Sequence, residues 1–182
     1  MGQIDLTTVS SSKGGRDSDP RRVATLLESL PPHAIEAEVS LLGSILLDPN
    51  VIADVVQVIN SDADFFKPAH GALYSAAVQI YEEHSVVDIN LLMQHCQDNN
   101  TLEAVGGVDY LVHIADSVPT SAHAVHYARL VKEKAVIRQL IEAAGHILQD
   151  AYDRPDQSTD VLQEAEQRIF RIAQRMESRQ AM

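Results

Sequence analysis

The 182-residue sequence predicts an all-α fold, a small orthogonal helical bundle followed by a long antiparallel helical hairpin. Three observations predict it. From residue 31 onward, apolar side chains recur at three-and-four spacing, the period of a helix face. No segment shows four or more residues of clean period-two alternation, the mark of a half-buried strand. Residues 121–152 run without a proline, and a short turn separates them from a second helical stripe.

Taken in order, residues 1–30 are read as a flexible tail. The run from Ser10 to Pro20 is too polar to offset its ordering entropy. Pro31 and Pro32 are expected to open the first helix, with Ile35, Val39, Leu42 and Leu46 on one face. Glu36 and Glu38 near its start suit the positive end of the helix dipole. Asp48 and Pro49 end it, and Ile52, Val55, Val56 and Ile59 mark a second helix. A third enters through Pro68 and places Leu73, Ala77 and Ile80 together. Asp88 is the expected N-cap of a fourth, which carries Ile89, Leu92, Met93 and Cys96. Gly106 and Gly107 turn the chain into a short helix with Val108, Leu111, Val112 and Ala115. These elements make up a bundle over residues 31–118.

Residues 119–178 are expected to form the hairpin, and 179–182 the start of a linker. The uninterrupted stretch gives one helix of about 45 Å at the usual rise per residue. Leu130, Ile137, Ala144 and Ala151 are seven apart, as are Tyr127, Lys134, Ile141 and Leu148, a coiled-coil-like seam. A second stripe runs through Val136, Leu140, Ala143 and Ile147. After the turn at 153–156, Ser158 or Thr159 caps a helix whose seam is Leu162, Ala165, Ile169, Ile172 and Met176. One partner helix covers only one of the two stripes. The surplus meets the bundle, a second copy of the chain or another protein.

Charge narrows the partners. The net −12 is carried wholly by residues 31–118, where Lys67 faces thirteen acidic side chains. That block repels phosphates, so direct DNA binding is not expected. The interleaved charges of 119–182 read as solvated helix surface. A single cysteine excludes an internal disulfide and suits a reducing compartment. No apolar run reaches the ~18 residues of a membrane span, and no signal-peptide core is seen. The expectation is a cytoplasmic chain.

The sequence carries none of the common catalytic signatures. No P-loop is present, so ATP hydrolysis by this chain is not expected. Gly43 and Ser44 lie mid-helix without a nucleophile elbow. His95 points about 100° from Cys96 on a helix and is no ready base. His123 and His126 lack a third metal ligand. Asp62, Asp64, Glu82 and Glu83 sit near inferred helix ends, where solvated charge is the usual reading. No catalytic residue, cofactor or metal is assigned.

An ordered set of short segments carries a resemblance. It begins with Pro31-Pro32-His33-Ala34-Ile35-Glu36-Ala37-Glu38 and Leu41-Leu42-Gly43-Ser44-Ile45-Leu46-Leu47-Asp48. It continues through Phe65-Phe66 with His70 and Tyr74, Val87-Asp88-Ile89, Gly106-Gly107 with Tyr110-Leu111, and Pro119-Thr120-Ser121-Ala122. Over about residues 31–176 these resemble the N-terminal domain of bacterial DnaB-type replicative DNA helicases. The resemblance implies a non-catalytic collar domain whose hairpins pair between subunits, as a dimer or a trimer of dimers. It implies docking of the primase C-terminal domain and, in some members, of a helicase loader. ATP and Mg²⁺ would belong to a RecA-like motor reached through a linker helix. The chain stops before that linker, and its abrupt polar end is expected of a truncated chain. The alternatives are the helicase-interacting C-terminal domain of a primase, against which the Pro-Pro-His opening argues, a stand-alone regulator of the hexamer, and a small hydrolase with a carboxylate pair. The expected interface residues, for self-association or a partner, are Tyr110, Tyr127, Val136, Leu140, Ile141, Ile147, Ile169 and Ile172. Ordinary core is the competing reading of each.

Overall fold

The computed structural model describes residues 25–26 and 28–177, the side chains of Met176 and Glu177 excepted. Most of the expected tail, the linker start at 179–182 and the Met176 side chain lie outside the described residues. Residues 1–30 and 31–182 form two separate compact units. In the first, Thr25 and Leu26 are helical and Ser29 Oγ donates to the Thr25 carbonyl.

Among its described residues the second unit builds its regular elements from helices, with no strand. Its helices are α1 (Ile35–Leu47), α2 (Ile52–Val55), α3 (Pro68–His84), α4 (Ile89–Asp98), α5 (Gly107–Ala115), α6 (Ala124–Asp153) and α7 (Ser158–Glu177). Single 3-10 turns lie at Pro49–Val51 and Asp62–Asp64. No helix among the described residues is long and apolar enough to cross a membrane.

α1 is the axle of the bundle, packed by α3, α5 and α6. It buries Leu41, Leu42 and Ile45, and also Glu38, Gly43 and Ser44. Of the face expected for it, only Leu42 is fully buried. A helix enclosed by three others is apolar nearly all round, so periodicity singles out no face. The helix starts at Ile35 rather than at the proline pair. Pro31 precedes another proline and is disfavoured from helical geometry, and the Pro32 carbonyl instead accepts from Nη1 of Arg138 at 2.9 Å.

The remaining bundle helices follow their local signals. The expected second helix shortens to the single turn of α2. α3 enters through Pro68 and buries Leu73, Ala77 and Ile80. Asp88 caps α4, its Oδ1 accepting from the Leu91 amide at 2.9 Å. α4 buries Leu92 and Cys96; burial raises the Cys96 thiol above its ordinary value, partly offset by the Thr101 hydrogen bond. Gly106 and Gly107 turn into α5 with φ of 108° and 76°, backbone that favours glycine. α5 turns Leu111 and Ile114 inward, leaving Val108 and Val112 exposed against expectation. Its contact with α1 decides the phase. A Cβ on Gly43 would overlap Ser117 Oγ and lie 2.6 Å from the Ile114 carbonyl oxygen.

α6 belongs to both halves. Its first turns place Ala124, Ala128, Val131 and Ala135 in buried positions, small enough for close approach to α1. α6 thus begins packed on the bundle and runs on into the hairpin. Arg138 still reaches the Pro32 and Asp64 carbonyls, and beyond it α6 packs on α7. Arg154 closes the turn, its guanidinium bonded to both Glu164 oxygens at 2.9 and 2.8 Å and to Asp150 at 3.0 Å. Arg168 reaches Asp150 at 3.1 Å. α7 begins at Ser158 itself, so Ser158 and Thr159 are its first residues and not its caps.

Candidate docking surface

The free half of the hairpin is where sequence and structure meet most directly. Along α6, Ala143, Ile147 and Asp150 fall on one stripe and are half-buried or buried. Val161, Ala165, Arg168 and Ile172 form the matching half-buried stripe of α7. These make the internal seam. Of the expected second stripe, Ala143 and Ile147 turn toward α7, Leu140 stays exposed, and the heptad stripe is left open among the described residues.

That open stripe consists of Ile137, Ile141, Ala144, Leu148 and Ala151, at alternating four-and-three spacing. Ile141 is 40% exposed, and Ile137, Leu140 and Leu148 are similar. On α7, Leu162 and Ile169 are 62% and 42% exposed. The seam expected for α7 therefore splits: Ala165 and Ile172 turn toward α6, and Leu162 and Ile169 turn outward. Antiparallel helices viewed from one end wind in opposite senses. The outward residues of α6 and α7 consequently lie on the same side of the hairpin.

The eight expected interface residues divide by place. Leu140, Ile141 and Ile169 are on the open side. Ile147 and Ile172 lie at the internal seam, partly covered, and Val136 is half-buried nearer the bundle. Tyr127 packs on the bundle and lines a cavity of about 530 Å³ with His33, Ile35 and Leu130. Tyr110 is tied into the bundle through its hydroxyl, 2.7 Å from His70 Nε2.

Two buried polar groups run against the sequence reading. Glu38 is no solvated dipole partner. It is buried, its Oε1 accepting from the Phe66 amide at 2.6 Å and its Oε2 lying 2.6 Å from His70 Nδ1. A carboxylate only accepts, so Nδ1 is assigned the proton. Asp64 is likewise buried, not solvated. It pairs with Lys132 Nζ at 2.8 Å, accepts from the Asn60 amide, and its carbonyl takes Nη2 of Arg138 at 2.7 Å. Burial lowers the Arg138 guanidinium from its ordinary value against the pull of Glu38 and Asp64. These bonds tie α3 to α1 and tie α6 to the Asp62–Asp64 turn and to Pro32, and they offer no paired carboxylates to a substrate. Among the described residues no group of three or more His, Cys, Asp or Glu is placed to hold a metal.

Sequence reading also missed an arginine set, Arg168, Arg171 and Arg175, on the hairpin side away from the apolar one. The signal was its spacing of three and four along α7, hidden by the balanced charge of the whole segment.

Comparison with known proteins bears on this arrangement. Residues 30–133 match the family described as the DnaB-like helicase N terminal domain. The chain is 40% identical over 150 residues to the replicative DNA helicase DnaC of Bacillus subtilis (strain 168), covering 82% of this chain and 33% of that protein. The chain thus spans about a third of the length of the curated relatives it matches. The crystal structure of the N-terminal domain of DnaB helicase from Mycobacterium tuberculosis superposes with a TM-score of 0.73 at 33% identity, covering 79% of this chain and 99% of that one. A DnaB-like replicative helicase solved in a study of its interactions with primase shares the fold, with a TM-score of 0.62 at 23% identity over 76% of this chain and 31% of that one.

Proposed function

The chain belongs to the DnaB-like helicase N-terminal domain family, and we propose that it acts as an assembly and docking module of a replicative helicase. It performs no chemistry itself. With no P-loop, it offers no cradle for ATP and Mg²⁺, which belong to a RecA-like motor. Its hairpin pairs with the hairpin of a second copy, as a dimer or within a trimer-of-dimers collar, and the assembled collar docks primase and, in some systems, a loader.

One observation carries this reading. Ile137, Ile141 and Leu148 of α6 and Leu162 and Ile169 of α7 form an apolar side that the described residues leave open. Isolated exposed apolar residues are ordinary, but a heptad-spaced stripe across two helices is the pattern of helix–helix association. The acid-rich bundle adds a second property. Its −12 steers basic partner surfaces toward it and keeps DNA from its outer face.

The test is to mix the chain with the C-terminal domain of its cognate primase and read the mass by light scattering after size exclusion. Co-elution at the mass of two chains plus primase supports the reading. Two separate peaks would sink the docking half of it. Salt-indifferent binding would remove the steering role of the bundle.

A further inference from the structure

Arg168, Arg171 and Arg175 stand three and four residues apart on one face of α7 and, with α6, line a groove of about 240 Å³. By the same helical geometry that gathers the apolar residues, this face lies on the opposite side of the hairpin. Ala143, which is buried, and the half-buried Ile172 form an apolar floor. The acidic residue lining the groove is Glu142, 3.9 Å from His146 Nε2.

The three guanidiniums are not equally committed. Arg168 is engaged by Asp150 at 3.1 Å. Arg171 spends only its Nε, on the Gln167 carbonyl of its own helix at 3.2 Å. Arg175 makes no hydrogen bond or ion pair with any described residue. Two planar forks with donors that no described residue engages thus border an apolar floor, in a chain whose net charge is −12.

We propose that this groove is a docking site for a carboxylate-bearing amphipathic segment of a different protein. Its acidic side chains bond Arg171 and Arg175, and one apolar side chain sits on Ala143 and Ile172. Guanidinium forks match carboxylates in bidentate geometry, and the floor gives an apolar anchor its place. A single nucleic-acid strand fits less well, because the groove lining holds no Phe, Tyr or Trp to stack a base and includes the carboxylate Glu142. The proposal rests on the reading of the opposite side as the pairing side, which leaves this groove open in the paired hairpin.

The test measures fluorescence anisotropy of a fluorescein-labelled synthetic helix of Glu, Ala and Leu, titrated with the full chain. The same helix with Lys in place of Glu and a labelled oligothymidylate serve as comparisons. The Glu helix is expected to bind, the Lys helix not. R171E/R175E, at exposed positions, should weaken binding at least about tenfold, with R171A/R175A acting in the same direction. Added salt should weaken it too. Sedimentation mass of the same variants is read separately, so loss of pairing and loss of groove binding stay distinct. No binding of the Glu helix, equal binding of the Lys helix, indifference to the arginine variants, or preference for oligothymidylate would each overturn the proposal. A fall in the oligomer mass of R171E/R175E would overturn it as well, by making the groove a self-contact.

Discussion

Glu38 Oε2 lies 2.6 Å from His70 Nδ1 with both side chains sealed from solvent, so that α1 and α3 meet through a buried acid–imidazole pair. The pair is satisfied at each end, by the Phe66 amide on one side and the Tyr110 hydroxyl on the other. It therefore stitches three helices and the loop before α3 into one arrangement. Breaking such a pair leaves one polar group stranded in the core.

Glu38→Ala is expected to destabilise the bundle by about 3–5 kcal/mol, because His70 and the Phe66 amide lose their acceptor. Tyr110→Phe should cost less, about 1 kcal/mol, since it removes one neutral hydrogen bond near the surface. Urea denaturation followed by circular dichroism ranks the two. An equal effect of both would mean that the network is not held at the carboxylate.

Gly43→Ala is expected to cost about 1–3 kcal/mol through overpacking where α1 meets α5. The added Cβ meets the backbone of Ile114, which cannot rotate away as a side chain would. Gly145→Ala is the control on an open helix surface, with nothing within 4 Å of the new Cβ, and should be neutral or stabilising. Urea midpoints of the two variants check the contrast. Equal shifts would refute a tight crossing.

The hairpin tip should respond to acid. The Arg154 hydrogen bond holds the Glu164 carboxyl below its ordinary 4.5. A carboxyl depressed in the folded state stabilises it above the unfolded value and loses that contribution as pH falls through the folded one. Amide hydrogen exchange around 150–164 should therefore accelerate, beyond its intrinsic pH dependence, as pH drops below about 4.5. In Arg154→Gln this acid-dependent component should vanish.

How much of this was legible in the sequence depends on what each residue answers to. Asp88, Pro68 and Gly106 act within a few residues of themselves, so capping and turn chemistry placed the ends of α3, α4 and α5. The 30-residue α6 was legible because nothing in it breaks a helix. The phase of α5 was not, since Gly43, more than sixty positions away, decides whether Val112 or Ile114 turns inward. Glu38 and Asp64 read as surface charge because their partners, His70 and Lys132, are remote in sequence. The hairpin's surplus stripe was visible as periodicity. That Ile141 and Ile169 share a side, and that Arg171 and Arg175 take the other, emerges only when the two helices are set antiparallel.

The central claim is that the open apolar side pairs two hairpins, and sedimentation equilibrium of the full chain beside I141D/I169D tests it most directly. Both changed positions are about two-fifths exposed, so the fold of each subunit should survive, as circular dichroism would verify. The account predicts a dimer or larger assembly for the unchanged chain and a folded monomer for the variant. An unchanged chain that stays monomeric throughout the concentration range, or a variant that assembles as before, would contradict it.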